Sequence, residues 1–432
     1  DVSMNILKNK LLWIAPIAVL IILALFALAF YPAFNPKPKE IPIAVVNNDQ
    51  GTDIQDNHLN IGKKISDNLL DSDSDTIAWK QVDSESAARK GIEDGKYFGV
   101  AIFDKNFSKD AMSQTQKVII DAKKEEMKDK VKSGEIPPAQ AKQMQQKMAQ
   151  SGADSDIDVT QAKLKTIVNS GASMQAAQVS TNVLSGMSDR INNQITKQSI
   201  ETLEKQDVKV DASDINGINT PVKADNEKIH EVKDHQAGGN VPFLMFMPVW
   251  IGSIVVSVLL LYAFRSSNNI TRPQRLTAAG IQMAIAVVTS FVGAFSYVHF
   301  MGGVLGFHFD EPNKIALFIA IAMIGFIGLI LGTMTWIGLP ALPIFLIAMF
   351  FSMQLVTYPK EMLPDFYQKY IVGWNPFTHY ANSLRELIYM NHSIQLDSTM
   401  WMFIGFMIFG VIAIVTASLI RKHSDKSYQV PS

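Results

Sequence analysis

The sequence predicts a polytopic α-helical membrane protein: six transmembrane helices, with a large α/β plus long-helix extracellular domain between the first and the second. Three observations predict it. Long runs contain no Asp, Glu, Lys or Arg, and one stretch of 210 residues holds most of the charge. Charged residues are only 18% of the 432, against about 25% in a soluble domain. Basic residues are in excess on one side of the topology that the apolar runs define, eight against two acidic, while the outer loops 301–314 and 357–398 hold four against six.

The runs are taken in order. Leu11 to Tyr31 is 21 residues without a charge, enough for a helix to cross about 30 Å of hydrocarbon. Ala27-Leu28-Ala29 resembles a signal-peptide cleavage site, but the apolar core exceeds the roughly 7–15 residues of a signal h-region. An uncleaved anchor is therefore expected. Phe243 to Phe264 and Leu276 to Phe300 are the next two spans. Ile315 to Val356 is 42 uncharged residues, twice a single span. Gly338, Pro340 and Pro343 interrupt it, which predicts two helices and a tight turn. Thr399 to Ile420 is the sixth span.

Lys8, Lys10, Arg265, Arg272, Arg275, Arg421, Lys422 and Lys426 flank these runs, with only Asp1 and Asp425 beside them. Region 32–241 holds 27 basic and 32 acidic residues. The positive-inside rule then puts both termini in the cytoplasm and 32–241 outside the cell membrane. The expected organisation is a cytoplasmic terminus over 1–10, a first helix over 11–31, the outer domain over 32–241, and five more helices over 242–432. A net charge of −1 gives no reason to expect nucleic acid as a partner. With no cysteine, disulfides, thiol catalysis and Cys-ligated zinc are excluded; such a chain is compatible with a Gram-positive bacterial envelope.

Within the outer domain, Ile41 to Val46 reads as a strand that ends in the turn Asn47-Asn48-Asp49-Gln50-Gly51. A helix over 57–70, a strand over Ile77 to Val82, a helix from Ser84 to about Asp94 and a strand over Tyr97 to Phe103 follow. Lys117 to Asp121 reads as a further strand. This alternation predicts a small α/β unit over 41–121. Residues 122–206 read as a helical arm. Two short helices separated by Gly134 to Pro138 come first. Then comes a candidate helix over 160–206, with Leu164, Val168, Ala172, Val179, Val183, Met187, Ile191, Ile195 and Leu203 near helical spacing. Unbroken it would be about 70 Å long; Gly171 and Gly186 make a break plausible. Residues 207–241 read as a linker.

No motif carries enzyme chemistry, and no cofactor is expected. Gly91 to Lys96 is one residue short of a phosphate loop, and Tyr97 replaces the Ser or Thr that reaches Mg²⁺. Asp71-Ser72-Asp73-Ser74-Asp75, and the repeat at Asp154, Asp156 and Asp158, lack the Gly and Glu of a calcium loop and read as solvated loops. His299, His308 and His379 read as interfacial residues. No Gly-x-Ser-x-Gly elbow is present. The spans carry no Asp, Glu, Lys or Arg, which argues against a proton-driven carrier. Gly325, Gly328 and Gly332 allow close helix approach, within one copy or between two.

Two segments stand out. Arg265 to Arg275 is a short basic loop that either docks a cytosolic protein or serves only as a topology signal. Segment 357–392 reads as two short helices in or dipping into the outer interface, with aromatic anchors. Its order Pro359-x-Glu361-Met362-Leu363-Pro364, then Asn375-Pro376-Phe377-Thr378, then Leu384-Arg385, resembles the signature of type-2 ABC-transporter permeases. Ile41 to Gly51, Gly95 to Phe103 and Phe107-Ser108 resemble the narrower phage infection protein (YhgE/Pip) family. In that family one helix, a large outer domain and five helices follow in this order.

The resemblance implies a homodimeric permease energised by a separate cytosolic ATP-binding cassette subunit. It implies a coupling role for Arg265, Arg272 and Arg275. It implies an outer re-entrant gate over 357–392, shaped by Pro359, Pro364, Asn375, Pro376 and Arg385. An uncharged path suits an amphipathic substrate, with membrane lipids around it. The alternative is a non-transporting surface scaffold, a phage receptor or a secretion-system component.

Overall fold

The computed structural model describes residues 31–33, 37–150, 157–264 and 271–420, with single positions between 14 and 27. Ten of the 21 positions of the first expected span, 11–31, are described, nine of them helical, while Arg265 and the C-terminal basic cluster lie outside the described residues. The described chain forms two compact units.

The first unit, 38–169 with 176–229, is built on a five-stranded sheet. Strand β1 (Ile41–Asn47) is central and nearly continuously apolar, as a strand covered on both faces must be. The hairpin β2 (Thr52–Ile54) and β3 (Asn57–Leu59) follows, then helix α1 (Ile61–Leu70), β4 (Ile77–Gln81), α2 (Glu85–Glu93), β5 (Gly99–Phe103) and the short α3 (Phe107–Ala111). Next come α4 (Ser113–Lys132), α5 (Pro138–Gln150), β6 (Ala162–Asn169), α6 (Met174–Ser185), α7 (Met187–Lys205), α8 (Ile215–Asn219) and β7 (Val222–Ile229). The strand order is β4-β1-β5-β6-β7, with only the β5–β6 pair antiparallel. Ile41, Ile43, Val45, Phe103 and Leu164 pack on one face with Ile65, Phe107, Ile191 and Leu203. Ala44, Val46, Val100 and Ile167 pack on the other with Ala88 and Ile92 of α2.

Four expectations are corrected here. Residues 117–121 lie inside α4, not in a strand. The long helix expected over 160–206 begins as strand β6. Thr166, Ile167 and Val168 favour extended backbone, and pairing to β5 and β7 settles it. The 207–241 linker contains β7, which is paired along its whole length to β6. The expected helix over 57–70 starts only at Ile61, because Asn57–Leu59 pairs with Thr52–Ile54. The sheet begun within 41–121 is thus completed by strands from outside that stretch. The Gly91–Lys96 segment is the C-terminal turn of α2: Gly95 takes φ +76°, and the Lys96 N–H donates to the Gly91 carbonyl at 2.7 Å.

The Asn47–Gly51 turn is the hub of this unit. Asp49 is buried, and its carboxylate accepts from Gly51 N (3.0 Å), Gly62 N (2.8 Å), Ser108 N (3.1 Å) and Ser108 Oγ (2.5 Å). One side chain therefore serves the first turns of both α1 and α3. Ser108 Oγ in turn accepts from Ile61 N at 2.8 Å. A Cβ on Gly62 would lie 2.7 Å from the Asp49 Cβ, so that glycine permits the approach. Replacing Asp49 by Ala leaves several buried N–H groups unpaired and is expected to cost about 3 kcal/mol. Limited proteolysis of the full chain should then cut within 38–229 well below the temperature at which the wild type is cut.

The second unit comprises 1–37, 170–175 and 230–432. It contains the one-turn α9 (Val241–Leu244), α10 (Phe246–Ala263), α11 (Arg272–Gly303), α12 (Pro312–Ile337), α13 (Ala341–Thr357), α14 (Asp365–Tyr370), α15 (Pro376–Tyr389) and α16 (Ser398–Ile420). Four described helical stretches are long and apolar enough to cross a membrane: Val241–Ala263, α11, α12 and α16. Helix α13 is apolar but only 17 residues long. Gly338, at φ +81°, turns the chain from α12 into α13. Ile281, Ile285, Val288 and Val292 leave an exposed apolar row on α11, which suits hydrocarbon rather than water.

Helix α12 is the hub of this unit, packing on α10, α11, α13, α15 and α16. Cβ atoms added at Gly325, Gly328 and Gly332 would meet Phe403, Phe406 and Gly410 of α16 at 2.8–3.2 Å. The stripe therefore serves packing within one copy. Across it, a Cβ on Gly410 would sit 2.6 Å from the Gly328 Cα. Gly410→Ala should force the helices apart at about 1–3 kcal/mol and lower the melting temperature in detergent. Gly405→Ala on the same helix faces open space and should leave it unchanged.

Candidate functional site

Segment 357–392 is built on two prolines. Pro359 and Pro364, with φ of −65° and −56°, fix extended entries to the 3₁₀ turn Lys360–Met362 and to α14. Glu361 is buried in that turn, and burial pushes its carboxyl up. Helix α14 exposes Phe366 and Tyr370, with ring centroids 5.4 Å apart, and Trp374 beyond them. Trp374 donates its indole N–H to the Tyr370 carbonyl at 2.5 Å. Aromatic rings at this spacing with Lys369 beside them suit a membrane–water boundary.

Helix α15 is different. Ten of its fourteen residues are buried, so it is an interior helix of this unit. Asn375 caps it: Oδ1 accepts from Phe377 N (3.0 Å), Thr378 N (2.9 Å) and Thr378 Oγ1 (3.2 Å). Its Nδ2 donates to Ser352 Oγ of α13 at 3.0 Å. Pro376 occupies the first turn, where its missing N–H costs nothing. Phe377 then enters an edge-to-face cluster with Phe246 (5.0 Å) and Trp250 (4.7 Å). The Trp250 indole donates to the Phe345 carbonyl at 3.1 Å.

At the other end, Arg385 is buried and its Nη1 donates to two carbonyls, Ala172 at 2.9 Å and Gly239 at 2.8 Å. The guanidinium lies 5.5 Å from the centroid of the Tyr389 ring. Among the described residues no carboxylate pairs with it. Burial lowers it to about 10, so it stays charged at neutral pH. The Tyr389 hydroxyl donates to Gln236 O (2.8 Å) and accepts from Val241 N (3.0 Å). Spacing in the sequence gave no sign of this, because 172, 236, 239 and 385 are far apart in the chain.

At the start of α11 the expected coupling residues separate. Thr271 and Gln274 form a reciprocal capping box. Arg272 is exposed. Arg275 is engaged within the unit, its Nε donating to the Ser418 carbonyl in the last turn of α16 at 2.9 Å. Arg265 lies outside the described residues.

The histidines have ordinary partners. His299 pairs with Asn313 (2.9 Å), His308 with Asp310 (2.8 Å) and His379 with the Gly373 carbonyl (2.9 Å). Lys233 and His308 hold Asp310 below the usual carboxylate range. Among the described residues no cluster of three His or acidic side chains could hold a metal ion. A polar cavity of about 40 Å³ lies between Ser383, Glu386, His392 and Asp397, far below the roughly 300–1,000 Å³ of a small-molecule site.

The arrangement positions helices; it does not assemble an acid, a base or a nucleophile. Asn375→Ala should cost about 2 kcal/mol through the lost cap and the lost α13 contact. Asn375→Asp keeps the cap and should recover about half, read as melting temperatures of the detergent-solubilised chain.

Residues 10–415 match the family described as ABC-2 family transporter protein. No curated protein and no solved structure matches the chain.

Proposed function

This chain belongs to the ABC-2 family of transporter proteins, and from that premise we propose that it is the membrane (permease) subunit of an exporter. It moves an amphipathic, lipid- or drug-like substrate out of the cell. The energy comes from a separate cytosolic ATP-binding cassette subunit, and two copies of this chain form the path. Within the family we place it with the phage infection proteins (YhgE/Pip), on Ile41–Gly51 and Gly95–Phe103. The observation that carries the reading is the family match over nearly the whole chain. Spans without Asp, Glu, Lys or Arg support it over ion-coupled transport.

Segment 265–275 is proposed as the docking element, with Arg272 as its exposed cation and Arg275 as the tie that fixes α11 to α16. Segment 357–392 is proposed as the outer gate, with α14 at the lipid boundary and α15 inside. Both termini are cytoplasmic and 32–241 is extracellular in this reading. A scaffold reading is favoured by one feature. The α4–α5 hairpin is exposed over most of 122–147, as a protein-binding arm would be.

Purification in mild detergent followed by an ATPase assay separates the two. A stoichiometric ATPase, whose stimulation by the membrane subunit falls at least tenfold in Arg272→Glu, is the expected result. A clean oligomer without ATPase would move the assignment to the scaffold. An ATPase indifferent to Arg272→Glu would remove the docking role from this segment.

A further inference from the structure

Between Ile229, where β7 ends, and Val241, where α9 begins, the chain runs as a strap. His230 (φ 54°), His235 (61°), Ala237 (56°), Gly238 (59°) and Gly239 (88°) all lie in the left-handed region. Three of the five carry a Cβ and are disfavoured there. Such backbone persists only where its surroundings over-determine it, and it concentrates in segments that switch.

The surroundings are specific. On one side, His308 N donates to the His235 carbonyl (2.9 Å), and Gln236 Nε2 donates to the His308 carbonyl (3.0 Å). Lys233 Nζ lies 2.8 Å from Asp310. Inside the strap, Gln236 Oε1 accepts from Lys233 N at 2.8 Å. On the other side stands α15. Tyr389 donates to the Gln236 carbonyl while accepting from Val241 N. Arg385 donates to the Gly239 carbonyl and, from the same nitrogen, to the Ala172 carbonyl. Segment 170–175 is the chain between β6 and α6 and belongs to this same unit. It sits at glycine distance: a Cβ on Gly171 would lie 2.9 Å from the His230 Cβ and 3.1 Å from the Tyr389 Cβ.

We infer that the strap 230–241 is a strained latch, held in its left-handed form by Arg385 and Tyr389 of α15. Displacement of α15 releases it. One guanidinium fastens two chain passages, the one after β6 and the one after β7, so both loosen together when α15 moves. The acceptors are carbonyls rather than a carboxylate. Opening therefore exchanges protein partners for water without stranding a buried acid. The latch is a property of the chain's own equilibrium and does not rest on any substrate or partner.

Hydrogen exchange of the full chain in lipid nanodiscs tests it. Tyr389→Phe keeps the ring beside Arg385 and removes two hydrogen bonds. It should speed exchange over 230–241 about tenfold while α10 and α12 stay protected. Ala237→Gly relieves left-handed strain and should slow exchange over the same peptide several-fold. In an unstrained strap glycine would instead add freedom and speed it. Unchanged exchange over 230–241 in Tyr389→Phe, or faster exchange in Ala237→Gly, overturns the latch. If Tyr389→Phe also exposes α10 and α12, the Ala237→Gly direction alone decides.

Discussion

Helices in hydrocarbon gain little from hiding apolar surface from one another, because lipid is as apolar as they are. Close approach has to supply the attraction, and in this molecule it does so where α12 meets α16. Gly325, Gly328 and Gly332 bring one backbone against Phe403, Phe406 and Gly410 of the other. With α16 held that closely, α12 becomes a post on which α10, α11, α13 and α15 all lean. The polar side chains inside this unit follow the same logic. Ser253, Ser257 and Ser290 each return a hydrogen bond to the carbonyl four residues back (2.7–2.8 Å). Gln282 of α11 donates to the Leu260 carbonyl of α10 (3.1 Å). These groups are satisfied without water, as a lipid surround requires.

Against that post α15 stands as an interior helix, and its two ends are fixed by different physics. The N-terminal end is fixed locally: an asparagine cap, a proline with no N–H to waste, and a phenylalanine driven into the Trp250 cluster. The C-terminal end is fixed at a distance, through a buried cation whose acceptors come from two remote stretches of chain. A buried charge without a counter-charge costs several kcal/mol unless hydrogen bonds compensate it. That cost makes Arg385 intolerant of any rearrangement that does not offer equivalent carbonyls or water. The start of α15 is thus held by neighbours in sequence and its end by remote carbonyls.

How much of this was legible in the sequence follows from where the information lies. Four of the five spans expected after residue 240, and the turn at Gly338, were legible because the absence of charge over twenty residues has few other meanings; the remaining one, α13, is apolar but only 17 residues long. A helix through Leu384 to Leu387 was legible, but not that Asn375 and Pro376 start it. Strands β6 and β7 were not. The apolar residues of β6 also fit a helical stripe. β7 is an edge strand in which Lys223, Asp225, Asn226 and Lys228 are exposed on either face, so its pattern resembled a linker. The burial of Arg385 and the left-handed strap were invisible for a different reason. Both depend on partners separated by 72 residues or more, and no periodicity encodes such pairings.

The same distinction governs what the motif residues mean. Asp49, Gly51, Gly62 and Ser108 form one knot of backbone donors around one carboxylate. Asn375 and Arg385 bracket one helix. None of them is placed to do chemistry on a ligand; each holds a backbone geometry that few other side chains support. A likeness carried by such residues speaks first to fold and only through it to cargo. Cargo would have to be read by surfaces the motifs do not touch, such as the uncharged faces of α11 and α13. Within the unit, Arg275 ties the start of α11 to the last turn of α16, and α16 meets α12, on which α15 leans, through the glycine contact.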